Sequence, residues 1–378
     1  MPRSATRAML IMQKNRCSAN RNQKKNGKWV LSNDRALSFL CINKFLNIKE
    51  INIMKKKVFA TLVALGMVFT MAACGQTAAP TDSGVEEAKT IRVGVCQLVQ
   101  HTALDAATQG FVDALEEEFG DQILIDVQNA SGDIQNCSTI VNNFVSSKVD
   151  LIMANATPAL QAAVAATADI PILGTSVTAY PVALDCETPD NIVGGNVSGT
   201  SDLADLVEQA KLIPQWFPEA KTVGLMFCSA EANSVFQVQE VSKALTDLGL
   251  TPKEFSFTDS NDVIAVTEKA CAECDVLYIP TDNVAASNAE SIANVVIPAK
   301  VPVVTGEEGP CAVCGICTLS ISYYDLGRTT GEMAAKILKG EADISTMPIG
   351  FTTATPKFNP TLCEEFGITP QPGFEAIG

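Results

Sequence analysis

The side chains in this chain whose spacing most resembles a chemical centre are thiols. Cys271-Ala-Glu-Cys274 and Cys311-Ala-Val-Cys314-Gly-Ile-Cys317 repeat the two-residue gap found in zinc sites and iron–sulfur or redox centres. Such a centre needs four ligands, so it requires a fold that brings the two segments together. Read that way, the chain is a thiol-based metal or redox protein. Read the other way, these cysteines are small apolar residues, as Cys96 and Cys228 are inside their apolar runs. Pairing of some of them as disulfides is a further option that spacing alone does not decide. The chain has 13 Cys and a single His, His101. One imidazole excludes metal sites built on several His. It also excludes a Ser or Cys hydrolase unless His101 is the base.

Cys74 has a different setting. Met54–Cys74 reads MKKKVFATLVALGMVFTMAAC: three lysines, an apolar run from Val58 to Thr70, then small residues ending at the cysteine. That order is an export signal, and the run is too short to span a bilayer of about 30 Å. Met71-Ala72-Ala73-Cys74 resembles a bacterial lipobox with Met in place of the usual Leu. The resemblance implies that residues 54–73 are removed and that Cys74 carries a lipid. An uncleaved membrane anchor is the alternative, and either one places the rest of the chain outside the cytoplasm on a membrane. Residues 1–53 are basic and without period, and an export signal has to lie at an N-terminus. Translation starting at Met54 is expected, with a disordered basic extension as the other reading.

Charge changes sign at the same place. Residues 1–73 hold 14 of the 27 Lys and Arg but 2 of the 42 Asp and Glu; the remainder keeps 13 against 40, a net charge of −27. So acidic a body argues against nucleic acid and against adsorption on anionic lipid, so membrane contact is expected through the lipid alone. Residues 74–89, with Gly75–Lys89 small and acidic, read as a tether.

The remaining residues must form the elements that position any site. Ile91–Gln97, Ile123–Gln128, Asp150–Ala154 and Ile170–Gly174 read as strands, with helices at Leu104–Phe119, Asp133–Ser147 and Thr157–Ala166 between them. The rhythm then restarts. Strands are expected at Thr222–Cys228, Thr251–Phe257, Asp275–Pro280 and Val301–Thr305, and helices at Ser234–Leu248, Asn261–Ala272 and Ala285–Ile297. Two βαβ series imply two doubly wound parallel sheets in an α/β fold. Ligands bind such sheets beyond the carboxyl ends of the strands, here in a cleft between two lobes.

Several motifs fall at those strand ends: His101-Thr-Ala-Leu-Asp105, Ala156-Thr-Pro-Ala159, Asn196-Val-Ser-Gly-Thr-Ser-Asp202, Glu231-Ala-Asn-Ser234, Ile279-Pro-Thr-Asp-Asn283 and Ile321-Ser-Tyr-Tyr-Asp-Leu-Gly327. In order and spacing they resemble the substrate-binding proteins of ABC transporters, in their tryptophan/tyrosine-type branch. The resemblance covers about residues 91–340. It implies a type I periplasmic-binding fold with three chain crossings forming a hinge. Lobe 1 would be residues 90–199 with 322–340, and lobe 2 residues 200–321 with 341–378. The family implies a receptor, not an enzyme and without cofactor, that delivers a small solute to a permease driven by an ATPase. The branch implies an aromatic amino acid. A sensory receptor of the same fold, without a permease, is a further alternative.

The residues agree with that reading in chemical terms. Thr157, read as the N-cap of its helix with Pro158 next, either caps the helix or exposes amides to a ligand carboxylate. Ser176 and Thr178 add hydroxyls. After Thr178 the family commonly has an Asp-Pro pair, and this chain has Ala179-Tyr180-Pro181. Tyr180 is therefore expected to stack on a ligand ring, as is Phe236. In lobe 2, Asn233, Ser234, Asp282 and Asn283 face the cleft. Asp282 is expected to take a ligand ammonium, or else to cap a helix. Glu307 and Glu308 are also placed to reach that ammonium, and His101 is expected in the polar lining.

Overall fold

The computed structural model describes residues 90–378, so residues 1–53, the leader, the lipobox, Cys74 and the whole tether lie outside the described residues. The first βα series is β1 (Ile91–Gln97), α1 (Thr102–Phe119), β2 (Ile123–Asn129), α2 (Ile134–Ser147), β3 (Leu151–Asn155), α3 (Thr157–Ala166), β4 (Ile172–Thr175), α4 (Tyr180–Leu184) and β5 (Val197–Ser201). The second is α5 (Leu206–Trp216), β6 (Thr222–Cys228), α6 (Ala232–Asp247), β7 (Thr251–Phe257), α7 (Val263–Glu273), β8 (Val276–Ile279), α8 (Asn283–Ser287), α9 (Ala289–Ala299), β9 (Val303–Thr305), α10 (Glu308–Cys314) and β10 (Cys317–Ser320). The chain ends with α11 (Tyr323–Leu338), β11 (Gly350–Phe351), β12 (Thr355–Phe358), α12 (Pro360–Phe366) and β13 (Glu375–Ala376).

These strands form two sheets, in the orders β11-β5-β4-β3-β1-β2 and β13-β12-β10-β9-β8-β6-β7. All neighbours are parallel except β10 and β12. Helices cover both faces, because strands buried on both sides must be apolar at every position. In the first sheet Val93, Val95, Leu151, Met153 and Leu173 pack with α1 and α11. Cys96, Ile152, Ala154 and Ile172 pack with α2 and α3 on the opposite face. Among the described residues no helix is long and apolar enough to cross a membrane.

The boundary between lobes differs from the expected one. Residues 341–378 were assigned to the second lobe, yet Gly350 and Phe351 pair with Thr200 and Ser201 on the first sheet. The edge of β5 would otherwise show bare amides and carbonyls. The returning segment covers it, Ile349 N–H donating to the Asn191 carbonyl at 2.8 Å and Ser198 Oγ to the Met347 carbonyl at 2.9 Å. The third crossing thus falls between β11 and β12. The single helix expected at Ala285–Ile297 is two, broken at Asn288, whose φ of −116° and ψ of 17° leave the helical region.

The thiol motifs are divided between two core layers. Cys314 packs with Cys274 and Cys228 on one face of the second sheet, and Cys317 with Cys363 on the other. Burial pushes the Cys314 thiol up to about 12, which keeps it protonated. Among the described residues no group of three or more His, Cys, Asp or Glu is placed to hold a metal ion.

Helix α11 returns from the second sheet and lies along α1 at a separation that only glycine permits. A Cβ added at Gly327 would stand 2.0 Å from the Ala107 carbonyl oxygen, and one at Gly331 would stand 2.6 Å from the Ala114 Cβ. The obstacle at Gly327 is backbone and cannot turn aside. Gly327→Val should therefore push the helices apart and cost about 1–3 kcal/mol, the usual range for overpacking. A lower urea midpoint with an unchanged slope would register it; an unchanged midpoint would refute the close contact.

Candidate functional site

The carboxyl ends of both sheets meet in a cleft, and seven of the ten buried side-chain nitrogen and oxygen atoms that lack a hydrogen-bond partner among the described residues collect there. In the first sheet they follow β3, β4 and β5: Asn155 Oδ1, Thr157 Oγ1, Ser176 Oγ and Asp202 Oδ1 are buried without a hydrogen-bond partner. In the second they are Asn233 Oδ1 and both carboxylate oxygens of Glu307. Buried polar groups are normally paired, so seven orphans at facing strand ends mark a surface shaped for something polar.

The backbone is strained at the same strand ends. Ala156 stands at φ 91° just after β3, and Ser176 at φ 54° just after β4. Neither is glycine, and such conformations cost on the order of 1–3 kcal/mol. Ala156, not Thr157, occupies the N-cap of α3, and it has no side chain to cap with. Thr157 is the first helical residue, so its hydroxyl is free of the capping role expected for it. The α3 N-terminus thus presents bare amides flanked by the Thr157 hydroxyl, a suitable place for an anion. The Thr178 hydroxyl turns instead toward Asp202.

Asp282 is buried and its oxygens are taken by backbone amides. Oδ1 accepts from Ala285 N–H at 2.8 Å, as an N-cap, and Oδ2 from Cys228 N–H at 2.6 Å. Asp282 therefore fastens α8 to β6, while burial pushes its carboxyl pKa up against the lowering pull of those amides and of the nearby Ser234 hydroxyl. Glu231 does similar work. Its carboxyl accepts from Asn283 Nδ2 at 2.6 Å, Val284 N–H at 3.1 Å and Asn233 Nδ2 at 3.1 Å, and burial pushes it up to about 7.

Glu307 is the unpartnered acid. It is 1% exposed at the N-cap of α10, where its side chain makes no capping bond. Burial, with Asp202 nearby, pushes its carboxyl up to about 8. The Tyr323 hydroxyl lies near both acids but gives its proton to Asp202 Oδ2, at 3.0 Å. Asp202 is pushed up to about 6 by burial, against the lowering pull of the Tyr323 and Thr178 hydroxyls. Asp202 follows β5 and Tyr323 opens α11, so their bond ties two of the crossings together.

The lobes touch. His101 Nε2 lies 3.2 Å from Asn283 Oδ1, α10 packs against α1, and α4 packs against α6. Burial lowers the His101 pKa, so a neutral ring with its proton on Nε2 suits this contact. Beside it a cavity of about 330 Å³ opens between loops of both lobes, reaching from Leu98, Val99 and Pro158 to Glu231, Asn283 and Asp259.

Tyr180, expected to stack on a ligand, faces the core. It is 1% exposed, and its hydroxyl reaches the carbonyls of Gly174 at 3.0 Å and Thr200 at 3.2 Å. It fills the space left where Gly174 and Gly199 lack a Cβ, within 2.5 Å and 2.3 Å of those positions. Phe236 packs on the second core instead. The structure thus brings His101, Thr157, Ser176, Asn233, Asn283 and Glu307 to one cleft, and sets Tyr180, Asp282 and Ser234 behind it. Asp202, Glu231 and Tyr323 join them without having been singled out, although each lies in a quoted motif.

Comparison with known proteins agrees with this architecture. Residues 92–373 match the family model for ABC transporter substrate binding proteins. A tyrosine-binding protein of Clostridioides difficile is 34% identical over 306 residues, covering 79% of this chain and 88% of that protein. The structure of an ABC domain in complex with L-Trp from Streptococcus pneumoniae superposes with a TM-score of 0.73 at 30% identity, covering 76% of this chain and all of that one. A ligand-free, open substrate-binding protein with adhesive properties from Clostridium difficile gives only 0.59 at 36% identity, covering 76% and 99%. Two facing parallel-sheet lobes, a polar cleft between them and a family match over nearly all the described residues lead to one conclusion: this chain belongs to the substrate-binding proteins of ABC transporters, with the type I periplasmic-binding fold.

Proposed function

We propose that this receptor captures a free aromatic α-amino acid between its lobes, outside the cytoplasm, and hands it to a permease driven by an ATPase. The observation that carries the reading is the Glu307 carboxylate, buried with neither oxygen bonded. A ligand ammonium supplies the charge-assisted donors it lacks. Across the cleft, the α3 amides with the Thr157 and Ser176 hydroxyls suit the ligand carboxylate. A zwitterion therefore bridges the two lobes. The aromatic class rests on the two relatives above, whose ligands are tyrosine and L-Trp. Binding, with no chemical conversion, is the whole activity on this reading.

A thermal-shift screen should single out an aromatic amino acid over sugars and nucleosides. A ligand at 100 times its dissociation constant adds about 2.7 kcal/mol of stability. Glu307→Gln should cost about 2–5 kcal/mol of binding, the range for breaking a buried charge pair. No response to any amino acid would sink the proposal.

The shift should also depend on pH in a stated direction. Burial raises Glu307 to about 8. The closed, unliganded form is therefore favoured at low pH, where the carboxyl is protonated, and loses that advantage as pH rises from the ordinary glutamate range to about 8. A ligand ammonium offsets the ionised form, so the melting shift should grow from pH 5 to pH 8. In Glu307→Gln this growth should shrink, leaving the smaller contributions of Glu231 and Asp202. Equal shifts at both pH values in the wild type would assign the ammonium elsewhere.

Anchoring through a lipid on Cys74 belongs to the same proposal. Radiolabelled palmitate should enter the wild type in a bacterial host and not Cys74→Ser; equal labelling would remove the lipobox.

A further inference from the structure

The cleft has two chemically different ends. All three crossings leave from the β5, β10 and β11 side, so both sheets run from a hinge edge to a free edge, ending at β2 and β7. The orphan groups Ser176, Asp202 and Glu307 follow β4, β5 and β9, on the hinge side. The 330 Å³ cavity lies on the free side, between the loops after β1, β2, β6 and β7. Pro158, Glu231 and Asn283 stand where the two regions meet.

The walls of this cavity are aliphatic: Leu98, Val99, Ile134, Pro158 and Val284. Ile134 is 45% exposed as the first residue of α2, an apolar side chain left facing the cleft. The outer end is polar. Asp259 is exposed at the mouth of the cavity: its Oδ1 accepts from both the backbone N–H and Nδ2 of Asn261 at 2.8 Å, and its Oδ2 receives no hydrogen bond among the described residues and is open to solvent or to a ligand. Asn288 spends its Nδ2 on the Val284 carbonyl at 2.8 Å and Ser287 Oγ at 3.3 Å, so its carbonyl oxygen is also open. Both free atoms are acceptors.

Given the amino-acid reading above, on which this inference rests, we infer that the free-side cavity houses the ligand side chain and that Asp259, with Asn288, accepts a hydrogen bond from its tip. A zwitterion held on the hinge side projects its side chain toward the free edge. Aliphatic walls fit the flat body of an aromatic ring. Two open acceptors fit a terminal donor, a phenol O–H or an indole N–H, and leave phenylalanine without a partner. A site that spends polar groups on a ligand donor discriminates against the analogue lacking it. Asp259 is a specificity-determining residue, acting on the choice among aromatic amino acids rather than on capture of the zwitterion.

The test is calorimetric titration of the whole mature protein with L-Tyr, L-Trp, L-Phe and L-Lys. Wild type should bind Tyr or Trp at least tenfold more tightly than Phe. Asp259→Asn keeps a carbonyl oxygen for the Asn261 turn and should weaken the preferred ligand at least tenfold, changing Phe by less than threefold. Ile134→Glu, at a position exposed enough to tolerate it, should weaken all three aromatic ligands together. Phe binding as tightly as Tyr and Trp, equal losses for all ligands in Asp259→Asn, or L-Lys binding most tightly would each overturn the inference. The amino-acid reading would survive those results. It fails separately, and this inference with it, if no amino acid binds.

Discussion

A carboxylate moved out of water without a partner is costly, and the cleft of this protein contains one on purpose. Glu307 is buried with neither carboxyl oxygen bonded, in the cleft between two lobes that are interleaved in sequence but have separate cores. Asp202 is buried beside it and satisfied on one oxygen by Tyr323. Burial without a cation favours the protonated form of Glu307, the direction in which its carboxyl is pushed. A neighbouring ammonium favours the ionised form instead. On the amino-acid reading proposed above, the charge of what enters the cleft therefore bears on the protonation of this one side chain.

The rest of the cleft is arranged so that this dependence is not diluted. Asp282 and Glu231 are equally buried acids, but each is saturated by amide donors of its own lobe. Part of the cost of their burial is thus offset by donors within the second lobe. The first lobe answers with amides and hydroxyls that have no lobe-internal partner, held by strained backbone at Ala156 and Ser176. Strain of that kind persists only where the surrounding packing over-determines it. Here the packing is the pair of rigid layers around β3 and β4.

Much of the frame was legible in the sequence, for a physical reason. A strand buried on both faces reads as an unbroken apolar run, so Thr222–Cys228 emerges with the expected bounds, as does the Ala-rich helix Thr157–Ala166; Thr251–Phe257, a largely exposed edge strand, is also found where the alternation of strands and helices places it. β5 gave no such signal. Val197-Ser-Gly-Thr-Ser201 is polar yet fully buried, because its hydroxyls are satisfied in pairs: Thr200 Oγ1 meets Thr175 Oγ1 at 3.1 Å and Thr330 Oγ1 at 2.8 Å. Hydropathy cannot see a strand whose polar groups are cancelled by residues 25 and 130 positions away.

The site was legible as a set of strand ends but not as a division of labour among them. Asp282 and Glu307 occupy equivalent places, each the N-cap of a short helix after a strand of the same sheet. One is consumed because the β6 amide of Cys228 and the α8 amide of Ala285 point at it; the other is free because nothing in its own lobe does. One of those two donors, the Cys228 amide, lies 54 residues away in the chain, and no local pattern encodes it. Tyr180 shows the same limit from the opposite side. An aromatic next to a cleft-edge threonine looks like a ligand contact, but Gly174 and Gly199 leave a hole beneath it that its ring fills. A side chain's role at such an edge follows from which neighbours already satisfy it, so the ligand-facing groups are best recognised as those the protein leaves unsatisfied.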